Sequence, residues 1–120
     1  MKREIKFRGK RLDNGDWVYG YLVVINERSY IFNDDVRKNV DPATVAQYTG
    51  LKDKNGKEIY EGDILDVNFL SHKTKVKYVM DSFMACCKNY PNEYLYHVCS
   101  ECQVIGNLHD NLELMQEDEE

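Results

Sequence analysis

The sequence predicts a mainly β protein: a small barrel or strongly bent antiparallel sheet, with an N-terminal β-hairpin region and little helix. Three observations carry this. Apolar and polar residues alternate with period two in several short stretches. Turn signals separate those stretches at close intervals. Nine Tyr against only two Pro, together with β-branched residues, suit a pleated, half-buried surface. Many short strands joined by turns bury their inner faces by bending the sheet or closing it.

The elements follow in order. In "REIKFRGK", Arg3, Ile5 and Phe7 alternate with Lys2, Glu4, Lys6, Arg8 and Lys10, which predicts a strand. Asn14-Gly15 fits a type I′ turn, which wants positive φ at both positions. Residues 3–12 and 16–26 are therefore expected to form a hairpin. "NERS" is a second turn leading into the strand "SYIF". Residues 33–43 read as loop with room for one helical turn, since Pro42 disfavours α geometry at Asp41. "TVAQYTG" is a short strand, followed by a turn at Asn55-Gly56. In "GDILDVNFL", Leu65, Val67 and Phe69 oppose Asp66 and Asn68. In "KVKYVM", Val76, Tyr78 and Met80 face away from Lys75 and Lys77. "SFMACCKN" and "EYLYHVCS" are expected to pair across "YPNE", with Cys86 opposite Tyr96. "CQVIGNLHDNLELM" gives one strand and then a turn or short helix. No stretch before residue 105 has helical periodicity.

Length and composition bound the function. At 120 residues this is one domain or two halves sharing a core. A hydrophobic share of 42% and a charged share of 31% suit a folded chain. The net charge of −5 argues against a general polyanion binder but permits local basic patches. No apolar run approaches the roughly 20 residues of a membrane span, and no membrane partner is expected. The start lacks the apolar core of a secretory signal. Four Cys without one suggest reduced thiols in the cytoplasm.

The stretch "YTGLKDKNGKEIYEGDIL", residues 48–65, is the most distinctive. As a calcium loop it fails, because the sixth position from Asp53 is Glu58 and Gly56 comes too early. As a phosphate loop it lacks both the G-x-x-x-x-G-K-[ST] and the G-x-G-x-x-G pattern. Glu58, Glu61 and Asp63 offer a carboxylate site, and on a strand Glu61 and Asp63 would share a face. Carboxylates run acid–base chemistry only where their environments split their pKa values. The competing reading makes Gly50, Gly56 and Gly62 bends with positive φ, with Ile59, Tyr60, Ile64 and Leu65 as core.

Two further constellations are worth weighing. Cys99 and Cys102 form a C-x-x-C with His97 nearby, a partial zinc set short of the four ligands of a structural site. Cys86 and Cys87 are adjacent on an expected strand and point to opposite faces. No cofactor fingerprint or G-x-S-x-G nucleophile setting is present. At the N-terminus, Lys2, Arg3, Lys6, Arg8, Lys10 and Arg11 are opposed only by Glu4. Such a ribbon can follow a phosphate backbone, with Trp17, Tyr19 and Tyr21 to stack bases. Alternatively these charges solvate a strand and discourage edge pairing.

"IKFRGKR", "VAQYTGLKDKNGKEIYEGDIL" and "VIGNLHDNLELM" together resemble the YopX family, small proteins of bacteriophages and prophages of Gram-positive bacteria. The resemblance spans about Arg3 to Met115. Gln47, Thr49, Gly50, Asp53, Gly56, Glu58, Tyr60, Glu61, Gly62 and Asp63 carry the central motif. Gly9-Lys10 depart from the Ala-Trp that such proteins often have after the Phe-Arg, and the four Cys are not part of the pattern. The resemblance implies a mainly β fold with a small barrel-like core, and phage or prophage origin with expression in a bacterial cytoplasm. It implies one β domain over 1–115, divisible into a hairpin region 1–43 and a barrel core 44–115, before an acidic tail 116–120. No reaction is implied, so no catalytic residue carries over. The expectation is a non-enzymatic interaction module, with a protein partner or self-association through aromatic β surfaces. A nucleic-acid binder using Lys2, Lys6, Arg8, Lys10, Arg11 and Trp17 is the alternative, and an enzyme using the carboxylates the third.

Overall fold

A computed structural model describes residues 5–34 and 36–116. Lys2, Arg3 and Glu4 of the expected first strand lie outside the described residues, as does the acidic tail beyond Gln116. The chain divides between Tyr48 and Thr49 into two compact units.

The first unit holds β1 (Phe7–Lys10), β2 (Trp17–Ile25), β3 (Arg28–Asn33), β4 (Val36–Val40) and the start of β5 (Ala46–Lys52). Their order in the sheet is β4-β3-β2-β1-β5, with antiparallel pairing throughout. The predicted hairpin is present as β1 and β2. Its turn is wider than the expected two-residue type. Arg11 N–H donates to Asp16 O at 2.9 Å, and Gly15 N–H to Arg11 O at 2.9 Å. Gly15 has positive φ but Asn14 does not; the Asn14 side chain instead accepts from Asp16 N–H at 2.9 Å.

The loop expected over residues 33–43 is corrected by β4. "VRKNV" is too short and polar to declare itself by pattern, and its pairing with β3 supplies what the pattern lacks. One 3-10 turn, Pro42–Thr44, follows, capped by Asp41 Oδ1 accepting from Ala43 N–H at 3.0 Å. Strand alternation sends Gly9, Val18, Leu22, Ile31 and Val40 to one face, where Ile31 and Val40 are fully buried. The sheet bends strongly there. Arg11 bridges to Val40, and Asp41 N–H donates to Lys10 O at 2.8 Å. Gly9 permits this approach, since a Cβ on it would lie 3.0 Å from Val40 Cβ. The sheet nevertheless remains an ordered row with two ends, so no closed barrel forms among the described residues.

The second unit contains the rest of β5, then β6 (Glu58–Tyr60), β7 (Asp63–Val67), β8 (Thr74–Val79), β9 (Ser82–Cys86) and β10 (Glu93–Tyr94). Helix α1 (Leu95–Val98), β11 (Cys102–Asn107) and helix α2 (Glu113–Gln116) complete it. Its sheet runs β10-β9-β8-β7-β11. Ile59, Leu65, Val67, Val76, Ala85, Leu95, Val98 and Cys102 form one buried cluster. Ile64, Cys87 and Met115 form another. Each Ile, Leu, Val or Met side chain so buried contributes about 1.5–3 kcal/mol.

The hairpin expected across "YPNE" is mostly replaced by helix. Glu93 pairs with Ala85 and Tyr94 with Met84, so Cys86 does not face Tyr96, and His97 lies in α1 rather than in a strand. The reason is burial spacing: Leu95 and Val98 both point inward, a separation that one helical turn satisfies and a period-two strand does not. Three other inward assignments fail: Phe69 is exposed in the turn after β7, Tyr78 on β8 itself and Met80 in the turn after β8.

The two-residue turns of the type I′ kind occur where no glycine announces them. Asn26 (φ 49°) and Glu27 (φ 66°) join β2 to β3, and Met80 (φ 49°) and Asp81 (φ 68°) join β8 to β9. Their positive φ matches the right-handed twist of the flanking strands, at a cost of roughly 1–2 kcal/mol for each residue that has a Cβ.

Candidate functional site

The signature stretch forms a set of hydrogen-bonded turns in the second unit. Thr49 Oγ1 donates to Ile59 O at 2.8 Å and accepts from Leu51 N–H at 3.2 Å, tying the end of β5 to β6. Asp53 is the centre of the next turn. Its Oδ1 accepts from Asn55 and Lys57 N–H, each at 2.9 Å. Its Oδ2 accepts from Val104 N–H on β11, also at 2.9 Å. Burial alone would raise the Asp53 pKa, but the three backbone donors outweigh it and hold the carboxyl below its ordinary value. Gly50, Gly56 and Gly62 all have positive φ, as the structural reading expects.

The three candidate carboxylates lie on and beside the turn that joins β6 to β7. Glu61 lies in the turn between β6 and β7, so it does not share a strand face with Asp63. Asp63 is buried and accepts from Tyr60 N–H at 2.8 Å. Glu58 accepts from the Tyr60 hydroxyl at 3.0 Å. The final motif behaves alike. A Cβ on Gly106 would come within 2.6 Å of Asn111 Oδ1, and that same oxygen accepts from Asn107 N–H at 3.2 Å. Gln47, at the other end of the signature, pairs with Phe7 in the first unit.

The cysteines are turned to packing. Cys102 is fully buried, and its thiol donates to Cys99 O at 3.3 Å. Burial, reinforced by the negative charge of Asp53, pushes the Cys102 thiol up to about 12. His97 packs its ring against Tyr96 at 4.3 Å and Tyr94 at 5.6 Å. Among the described residues no group of three or more His, Cys, Asp or Glu is placed to hold a metal.

The basic N-terminal residues have diverse settings. Lys6 lies over Tyr48 at 5.5 Å. Arg8 is 6% exposed with its guanidinium 4.6 Å from the Trp17 ring, and Lys10 lies 5.4 Å from that ring. Arg11 pairs with Asp13 at 2.6 Å, and that hydrogen bond lowers the Asp13 pKa. β1 is flanked on both sides, by β2 and β5, so it is no free ribbon able to enter a groove.

What these residues do share is the outward face of the first sheet. Register places Lys10 opposite Trp17 and Arg8 opposite Tyr19. It places Tyr21 opposite Phe32, Val23 opposite Tyr30 and Ile25 opposite Arg28. Next come Phe32 opposite Arg37 and Tyr30 opposite Asn39. Alternation keeps all of them on one face. On β2, Tyr19 is 41%, Tyr21 72% and Val23 36% exposed. The Arg37 guanidinium lies 4.6 Å from the Tyr30 ring. A shallow groove is lined by Tyr21, Val23, Phe32 and Asp34.

The model of the family described as "YopX protein" matches residues 4–116. The chain belongs to the YopX family. A solved structure similar to it is the crystal structure of protein EF1440 from Enterococcus faecalis, with 21% sequence identity and a TM-score of 0.61 over 96% of this chain and 100% of that one. At that identity the likeness speaks for the fold. No curated protein matches the chain.

The YopX signature is therefore placed in turns and strand joints, and the exposed aromatic face lies elsewhere, in the first unit. Sequence reading singled out Trp17, Tyr19 and Tyr21 but missed Tyr30, Phe32 and Arg37 as their neighbours. No local pattern marks β4; only its register with β3 brings Arg37 opposite Phe32 and Asn39 opposite Tyr30.

Proposed function

We propose that this YopX-family protein is a non-enzymatic interaction module that binds a macromolecular partner through the outward face of β1–β4. One observation carries the reading: the exposed row of Tyr19, Tyr21 and Val23 on β2, continued across the register by Phe32 and Tyr30. Such contiguous exposed apolar area marks interaction sites. Tyr suits them because it offers large apolar area with a polar tip. The same reading takes in phage or prophage origin, work in a bacterial cytoplasm, and self-association as one way of covering the face. Glu58, Glu61 and Asp63 have no catalytic role in this reading; Glu58 accepts from the Tyr60 hydroxyl on β6, and Asp63 from Tyr60 N–H.

Site-specific photo-cross-linking tests the proposal. A photoreactive residue replaces Tyr21 in one variant and Tyr96 in another, and both are irradiated in bacterial cells. Tyr96 is also exposed, on α1 of the second unit. Discrete adducts from position 21 and none from position 96 are expected. Equal yields from both, or adducts at position 96 alone, would sink the assignment of this face.

A further inference from the structure

The face is not merely apolar. The whole chain carries −5, yet Lys10, Arg28 and Arg37 stand on this one face by register, with Arg8 buried beside Trp17, interleaved with Trp17, Tyr19, Tyr21, Tyr30 and Phe32. Aromatic residues and Arg also suit protein interfaces, but cations set between rings on a chain of net negative charge match a ligand that alternates phosphates with flat π-faces.

Spacing narrows the ligand further. Tyr19 and Tyr21 are two residues apart on one strand, so they repeat at about 6.7 Å. That is about twice the 3.4 Å step of a stacked nucleic-acid strand. Bases can stack on both rings only if the strand is extended and its bases are unstacked from one another, which a duplex forbids.

Resting on the reading above, we propose that the outward face of β1–β4 binds single-stranded nucleic acid. Bases stack on Tyr19, Tyr21 and Phe32. Phosphates meet Lys10, Arg28 and Arg37. Trp17 and Tyr30 have a supporting part: Trp17 lies beneath the Arg8 and Lys10 cations, and Tyr30 holds the Arg37 guanidinium. Asp34, which lines the groove beside Tyr21 and Phe32, opposes a nearby phosphate and limits affinity.

The test is fluorescence anisotropy of the full chain with labelled oligothymidine, oligouridine and a duplex of equal length, over a salt series. Single strands bind more tightly than duplex, and the two single strands show whether the sugar matters. Three phosphate contacts give a slope of about −2 in log K against log salt. Tyr21→Ala weakens binding about tenfold or more, and Arg37→Ala flattens the salt slope by about 0.7. Asp34→Asn tightens binding, while Tyr96→Ala leaves it unchanged. Far-UV circular dichroism confirms folding of each variant. No binding at about 100 µM protein in low salt, a preference for duplex, or binding indifferent to Tyr21→Ala and Arg37→Ala would each overturn the proposal. If oligonucleotides fail while position 21 still cross-links to a protein, the face is right and its occupant is a protein. If both fail, the face itself is wrong.

Discussion

Replacing Asp53 tests whether the family signature is a folding device. Its carboxylate accepts three backbone hydrogen bonds, from Asn55, Lys57 and Val104, and the residue is only 6% exposed. A hydrogen bond to a charged group contributes about 1.5–3 kcal/mol, and an orphaned buried donor costs about 1–3 kcal/mol. The three bonds share one side chain and do not add, so Asp53→Ala is expected to cost about 3–4 kcal/mol. Asp53→Asn keeps an acceptor for Asn55 and Lys57 but turns an amide N–H₂ toward the Val104 N–H. About 2 kcal/mol is expected there. Urea unfolding at pH 7 measures both. The pH dependence adds a sign. The folded carboxyl has its pKa below the ordinary value of 3.8, so its contribution is complete above that value. It is lost as pH falls through the lower folded value. The gap between wild type and Asp53→Asn should therefore narrow below about pH 4. An Asp53→Ala protein as stable as wild type would refute the structural account and reopen a functional role for the signature.

Further outcomes follow from the turns and the thiols. Glu27→Gly and Asp81→Gly relieve a left-handed residue at each type I′ turn; each should stabilise by about 0.5–1 kcal/mol, read as a higher urea midpoint with unchanged slope. Cys102 should resist a thiol reagent that labels the partly exposed Cys99, until the protein unfolds. Because the Cys102 thiol is pushed up to about 12 from 9.0, the stability it favours is complete below pH 9 and lost as pH rises toward 12. Replacing Cys102 by Ala should remove that alkaline loss, at the cost of a small cavity at pH 7.

Much of the architecture was legible in order of appearance. Period-two alternation located β1, β2, β7 and β8, because a strand with one buried face writes its burial directly into the sequence. The signature turns were legible too, since Gly50, Gly56 and Gly62 are the residues that left-handed bends ask for. Other features were settled only by tertiary contacts. β4 is a strand because β3 lies beside it, and its own five residues carry too little apolar pattern to say so. α1 is a helix because Leu95 and Val98 must both reach the same core. The turns at Asn26-Glu27 and Met80-Asp81 take positive φ because the paired strands demand it, overriding the residues' own preference. The aromatic and basic face belongs to this second group. Alternation along β2 shows Tyr19 and Tyr21 together, but only register across four strands brings Phe32, Tyr30 and Arg37 beside them. Local spacing fixes which face a side chain takes, whereas cross-strand pairing, which joins residues far apart in the chain, fixes its neighbours.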